Sequence, residues 1–462
     1  MNFIQLEFAL RVVLITIFLL ASTQLLCQLP VRPLVIDIQL PSLKGSPGSP
    51  TKPLVTSPQN FINSWLNTLN SQQQSERIRR EIDQEIERMQ AHDKRVQAIL
   101  DDAYTSFSGS PPAIEYTLKG KDGPGREDFL KAFGELQQML EGQRPMSIKR
   151  AVFLYENAYD PTIRWEDYNK EIDDLVEHVG YSLNKLPEAN DPLAKNLALF
   201  RFFTDTLAVG YPGFEKPVVS YPMLYDFNDF WGREDIRNVF VSKLLKTGTG
   251  QCHSLPLLYL ILSEEIGARA HLAFSPNHSY IKFQDEYKRW YNVELTNGMF
   301  TSDQFILYSG YVNAIALQNK MYTVPLTNKE VVAQSVNDLA IAYIARFGYD
   351  DFVQACTNLA LKHSRRSMTP HLLYHNLYKA KLDHVIAQYR AYGMSVEEFK
   401  KDSLAQQIIA QIKGVQKHLE KLGFADMPAE QYQDWLNSVR EESRKQEHRI
   451  RMRQIMSRLG NQ

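Results

Sequence analysis

Gly250-Gln251-Cys252-His253-Ser254, then His278-Ser279-Tyr280-Ile281-Lys282-Phe283, then Arg289-Trp290-Tyr291-Asn292-Val293-Glu294 are the stretches whose reading decides the fold. They bring a cysteine, a histidine and a carboxylate in that order. Thr247-Gly248-Thr249-Gly250 is a loop of turn formers, and after it Leu255, Leu258, Tyr259, Leu262 and Ile266 recur at helical spacing. Pro256 fits the first turn of that helix, where its missing N–H has no partner to lose, so the helix is expected to start near Cys252. Gly267 stands just past its end as a stop. A thiol at a helix start faces free N–H groups and the positive end of the dipole. Both favour the thiolate, and the same N–H groups suit a developing oxyanion.

The segments that follow read as strands. Arg269 to Phe274 form one, and the histidine and carboxylate segments form a hairpin around the polar loop 284–288. A hairpin centred on Glu286 pairs 283 with 289, 281 with 291 and 278 with 294. Alternation then puts Ile281, Phe283, Tyr291 and Val293 on the core face, and His278, Tyr280, Asn292 and Glu294 on the other. A slip by one residue would exchange the faces.

In this order the residues resemble the transglutaminase-like superfamily of papain-related cysteine enzymes. There a Cys opens a helix, a His follows on a strand, and an Asp closes the next strand in a pattern like Trp-x-x-x-Asp-x-Thr. Trp290-Tyr291-Asn292-Val293-Glu294-Leu295-Thr296 has that spacing with Glu294, one methylene longer, in place of Asp. Gly250-x-Cys252 and His278-Ser279-Tyr280 are similar to the family's Cys and His boxes. The resemblance covers residues 231–325, about a fifth of the chain. It implies an α+β fold, with a papain/transglutaminase-like core of one helix plus an antiparallel sheet embedded between mainly α-helical regions. It also implies Cys252 as nucleophile, His278 as base, Glu294 as the acid that orients the ring, and a thioester intermediate on a protein or peptide substrate. Water as acceptor gives hydrolysis and an amine gives transamidation, and both stay open. Each residue has an ordinary reading as well: Cys252 as a small core residue, Glu294 as a strand-end charge. His253 and His271 are the rival bases, but His253 follows the cysteine around the helix and His271 precedes the hairpin.

The whole chain bounds these readings. Its 462 residues, 44% of them hydrophobic, make a globular protein of roughly two to four domains. A net charge of −1 supplies no global field for nucleic acid or an anionic membrane. The sequence has no phosphate-cradling Gly-rich loop, no Cys/His set at zinc spacing and no acidic calcium loop, so no cofactor and no metal is expected.

Val12 to Ala21 is a short apolar core after Arg11 and reads as an export signal over 1–27. Leu26 precedes Cys27 where lipoprotein signals carry a small residue, so cleavage near Cys27-Gln28 is expected rather than acylation. The mature protein would then be periplasmic, in the cell envelope or secreted, with no membrane span. Cys252 and Cys356 are expected to be free, because a disulfide between them would remove the nucleophile. Residues 28–59 form a Pro/Ser-rich tether. Residues 60–230 are helical. Ile78, Ile82, Ile86, Met89, Val96 and Leu100 form one apolar stripe there, and further helices lie around Phe129–Leu140, Ser147–Asn157, Tyr168–Leu183 and Ala194–Leu207. The aromatic and acidic run from Tyr221 to Trp231 suits either a cleft lining or buried aromatics.

Residues 326–425 are helical and similar to tetratricopeptide-type helix pairs; an irregular bundle fits them equally. Residues 426–462 form a basic helical tail, either a solvated face or an interaction tail. Two functions follow. One is an exported cysteine hydrolase or transamidase. The other is an inactive envelope scaffold that holds protein partners through its helical regions.

Overall fold

The structure is a computed structural model that describes residues 113–185, 188–211, 213, 215–309, 312–425 and 441–452. The expected signal over 1–27 with Cys27, the tether over 28–59 and the stripe from Ile78 to Leu100 lie outside the described residues, as do 426–440 and 453–462 of the basic tail. The described residues form an α+β protein. Residues 116–384 and 407–452 belong to one compact unit, which holds every site residue, and 385–406 belong to a second.

Among the described residues four helices come first: α1 (Arg126–Leu140), α2 (Ile148–Tyr159), α3 (Trp165–Leu183) and α4 (Pro192–Thr204). Local chemistry sets their starts. Ser147 caps α2 by accepting the Arg150 N–H, and Asp191 caps α4 ahead of Pro192. The expectation that α4 runs to Leu207 is corrected. Asp205 is extended, and Leu207 opens a strand, β1 (Leu207–Val209), paired antiparallel with β2 (Val218–Ser220).

The chain then makes β3 (Leu224–Tyr225), a 3-10 turn over Ile236–Val239, α5 (Val241–Thr247) and β4 (Thr249–Gly250), which pairs in parallel with β3. Next comes α6 (Ser254–Glu265). Every residue from Ser254 to Ser263 is buried, which fits a helix apolar on all sides. It packs on α2, α3, α4 and α5 and on the sheet.

The sheet is an antiparallel meander: β5 (His271–Ser275), β6 (His278–Gln284), β7 (Trp290–Glu294) and β8 (Met299–Thr301). Its hairpin corrects the expected register by two residues, since Ile281 pairs with Val293 and Phe283 with Tyr291. The turn explains this. The Asp285 N–H donates to Arg289 O, Lys288 N–H donates back to Asp285 O, and Lys288 has φ +65°. That is a three-residue loop centred on Tyr287 with a left-handed closing residue, not a loop centred on Glu286. An even slip keeps each side chain on its face, so Ile281, Phe283 and Val293 still enter the core.

Helices close the chain: α7 (Asp303–Ser309), α8 (Ala314–Gln318), α9 (Asn328–Phe347), α10 (Asp351–His363), α11 (Met368–Ala391), α12 (Val396–Lys401), α13 (Ser403–Leu422) and a helix over 441–452. Thr327 and Glu330 form a capping box at the start of α9. Buried almost throughout from Glu330 to Tyr343, α9 packs on α1, α2 and α10. One continuous apolar core runs from Phe129 of α1 through α6 and the sheet to Leu373 of α11. Among the described residues, no helix is long and apolar enough to cross a membrane.

Candidate active site

Cys252 lies in the turn between β4 and α6, held from three directions. Upstream, Gly250 pairs with Tyr225. Downstream, Ser254 Oγ accepts the Gln251 N–H at 3.1 Å and donates to Gln251 Oε1 at 3.2 Å, while Gln251 Nε2 donates to the Asn238 carbonyl. From the sheet, the Ser279 hydroxyl donates to the Cys252 carbonyl. The turn is therefore pinned against the start of β6, next to His278. Gln251 spends its amide on this pinning.

His278 opens β6 and Glu294 ends β7. Ile281 faces Val293, so the two lie diagonally on the same face of the hairpin, within reach of long side chains. His278 Nε2 and Glu294 Oε2 are 2.7 Å apart. The other carboxylate oxygen accepts the Thr296 N–H at 3.1 Å and also the Thr296 hydroxyl. Thr296 thus fixes one oxygen and leaves the other to the ring, which gives the Glu-x-Thr spacing a physical reason. His278 Nδ1 is buried and without a hydrogen-bond partner. Tyr280 stacks parallel to the ring, centroids 6.2 Å apart. One ring nitrogen is oriented by an acid, while the other makes no hydrogen bond, to the Cys252 thiol or to any other described residue.

Burial pushes the Cys252 thiol well above its ordinary range, and the charge of Glu294 pushes the same way. The N–H groups of Ser279 and Cys252 and the hydroxyl of Tyr225 pull it down, but less. The net push is toward the neutral thiol. This corrects the expectation of a thiolate favoured by the helix start. Helix α6 begins at Ser254, Cys252 precedes its cap residue His253, and desolvation outweighs the local N–H groups.

Tyr225 is a site residue that sequence reasoning missed. It pairs with Gly250, two residues before Cys252, and burial, then the charges of Cys252 and Glu294, raise its own pKa far above the usual value. The aromatic run 221–231 was the signal, but it does not say which ring turns inward: Tyr221 is 71% exposed and Tyr225 4%. The rival histidines are engaged elsewhere. His271 Nδ1 bonds the Leu326 carbonyl at 3.0 Å, and His253 Nε2 lies 3.7 Å from Asp338 of α9. Cys356 is buried in α10, and neither it nor Cys252 is in a disulfide. Behind the turn, buried Glu156 of α2 accepts the Val241 and Ser242 N–H groups at 2.6 and 2.9 Å, the free donors at the start of α5. Burial raises its pKa to about 7. Among the described residues no group of His, Cys, Asp and Glu is placed to hold a metal ion.

No protein-family profile matches the chain, and no curated protein matches it. Among solved structures, it is similar to the crystal structure of menin that reveals the binding site for Mixed Lineage Leukemia (MLL) protein, at 13% identity over 61% of this chain with a TM-score of 0.33. The chain spans 64% of that structure's length. A likeness at that score carries no argument about fold or function.

Proposed function

We propose that the chain is an exported, transglutaminase-like cysteine enzyme that acts on carboxamide or peptide carbonyls of protein or peptide substrates. The observation that carries the reading is the pairing of a buried, unpartnered His278 Nδ1 with an Nε2 held 2.7 Å from Glu294, on the strand that pins the Cys252 turn. Cys252 Sγ attacks the carbonyl carbon as its proton passes to His278 Nδ1. The tetrahedral intermediate expels ammonia or an amine, which takes that proton, and leaves a thioester. Water or a second amine, deprotonated by His278, attacks the thioester and returns the thiol. Glu294 holds the ring and stabilises imidazolium. A papain-like core of α6 and the β5–β8 meander fits the same reading, and the apolar segment Val12 to Ala21 supports export.

Iodoacetamide labelling of Cys252, followed across pH by mass spectrometry, tests it. The rate should fall by about 10²-fold or more in His278→Ala, the usual contribution of a positioned base. Equal profiles in both proteins would sink the enzyme reading. The raised thiol pKa and the closed site favour a second reading, an inactive scaffold of the same core that binds protein partners through its helices. In that case Cys252 labels slowly at every pH and His278 has no influence.

A further inference from the structure

We propose that the helix over 441–452 is a built-in latch on this site, and that the Tyr225 main chain it occupies is the edge where an extended peptide substrate docks; the docking half rests on the reading of Cys252 as nucleophile. Strand β3 has one edge paired with β4: Leu224 N–H donates to Gly248 O at 2.9 Å and Asp226 N–H to Gly250 O at 2.7 Å. Alternation turns the N–H and C=O of Tyr225, between them, toward the opposite edge. Gln446 fills that edge. The Tyr225 N–H donates to Gln446 Oε1 at 3.1 Å, and Gln446 Nε2 donates to the Tyr225 carbonyl at 2.7 Å. A primary carboxamide offers the acceptor and donor pair of a peptide unit. Two bonds exchanged with a single residue are what an added strand makes with a sheet edge. The side chain of Gln446 stands where a substrate's peptide group would stand.

The clamped strand also carries the nucleophile turn. Tyr225 pairs with Gly250, two residues before Cys252, so holding the Tyr225 main chain holds that turn. Cys252, His278 and Glu294 are 1%, 0% and 1% exposed, so no carbonyl reaches the thiol in this arrangement. The latch itself is light. Lys445 pairs within the helix, 2.8 Å from Glu442 and 3.7 Å from Glu441, and neutral amide bonds tie the helix to β3. An extended polypeptide segment that takes over both bonds would displace Gln446 and lie one strand from the nucleophile turn. Selection is then for accessible main chain, and folded proteins present little of it.

The test uses the full chain with Gln446→Ala and Gln446→Glu; the carboxylate cannot donate to the Tyr225 carbonyl. Both variants should raise the iodoacetamide labelling rate of Cys252 by about tenfold, matching the loss of neutral hydrogen bonds. A capped, fluorescently labelled polar peptide of about ten residues should bind the variants more tightly than wild type, and its alternately N-methylated analogue should not. Unchanged labelling in both variants overturns the latch, and equal binding of the N-methylated peptide overturns the docking edge. His278→Ala separates the two layers. If it slows labelling while the Gln446 variants do not speed it, the latch fails and the nucleophile stands. If the Gln446 variants speed labelling but His278→Ala changes nothing, the nucleophile reading fails and takes the docking edge with it.

Discussion

Replacing Glu294 by Gln exchanges one carboxylate oxygen for an amino group at nearly constant volume, and the surroundings decide which way the amide turns. Thr296 presents two donors, its N–H and its hydroxyl, to one oxygen. An amino group facing them would leave the Thr296 N–H unsatisfied, at about 1–3 kcal/mol, although the hydroxyl can turn to accept. The amide therefore turns its oxygen to Thr296 with a preference of about 1–3 kcal/mol, at least about fivefold. Its amino group then faces His278 Nε2, now 2.7 Å from the carboxylate. That nitrogen must accept, so the ring proton moves to Nδ1 and the base is blocked. The lost tautomer predicts a fall of about 10²- to 10⁴-fold in the His-dependent reaction of Cys252, with the fold retained. Iodoacetamide kinetics across pH read the rate, and ¹⁵N shifts of His278 read the tautomer. A wild-type rate with the ring proton still on Nε2 would refute the reasoning and remove Glu294 from the site.

Glu156 gives a pH prediction. Folded, it holds its proton up to about pH 7, against 4.5 when unfolded. Between these values the folded state binds more protons, so its contribution is full below 4.5 and is lost as pH rises toward 7, by up to about 3 kcal/mol. Glu156→Gln should flatten that slope in denaturant melts from about pH 5 to 8; an unaltered slope would count against the buried acid. Gly250→Ala places a Cβ 2.6 Å from Ser254 Oγ, inside the turn that carries Cys252. It should cost about 1–3 kcal/mol and slow Cys252 labelling, and normal kinetics would show that the turn tolerates the methyl. Gly423→Ala meets the Ala316 main-chain nitrogen at 2.2 Å from a φ of +92°. A melting temperature lowered by several degrees is expected, and an unchanged one would contradict this packing.

The parts legible in the sequence are those governed by local periodicity. Helix α6 shows in the Leu-rich run after Pro256, and the strand pair shows in alternation, whose period of two kept His278 and Glu294 on one face despite the wrong turn. The turn itself was not legible. Asp285 and the left-handed Lys288 set the loop through main-chain bonds that charge and hydropathy do not encode. Strands β3 and β4 are two residues each and carry no pattern, so Tyr225 could not be brought to Cys252 from sequence. The state of the thiol was misread for a related reason. Dipole and N–H effects follow from adjacency in the chain, whereas desolvation depends on what the rest of the fold lays over the residue.

The burial of α9 bears on how the protein can be cut. A gene fragment encoding 231–325 carries the cysteine, the histidine and the acid, and looks like an excisable module. Yet the inner face of α6 in such a fragment would meet water where α2, α3 and α4 now lie. Phe129 of α1 in turn packs edge-on against Tyr343 and Phe347 of α9, with centroids 5.4 and 5.8 Å away. Helices made before the site and a helix made after it complete the same core. During synthesis the nucleophile turn therefore emerges well before its support is finished, and α1 and α2 wait for the ribosome to release residue 347. A piece that keeps this core whole runs at least from α1 to Leu373 of α11. Shorter pieces expose apolar helix faces and invite chaperone capture or aggregation.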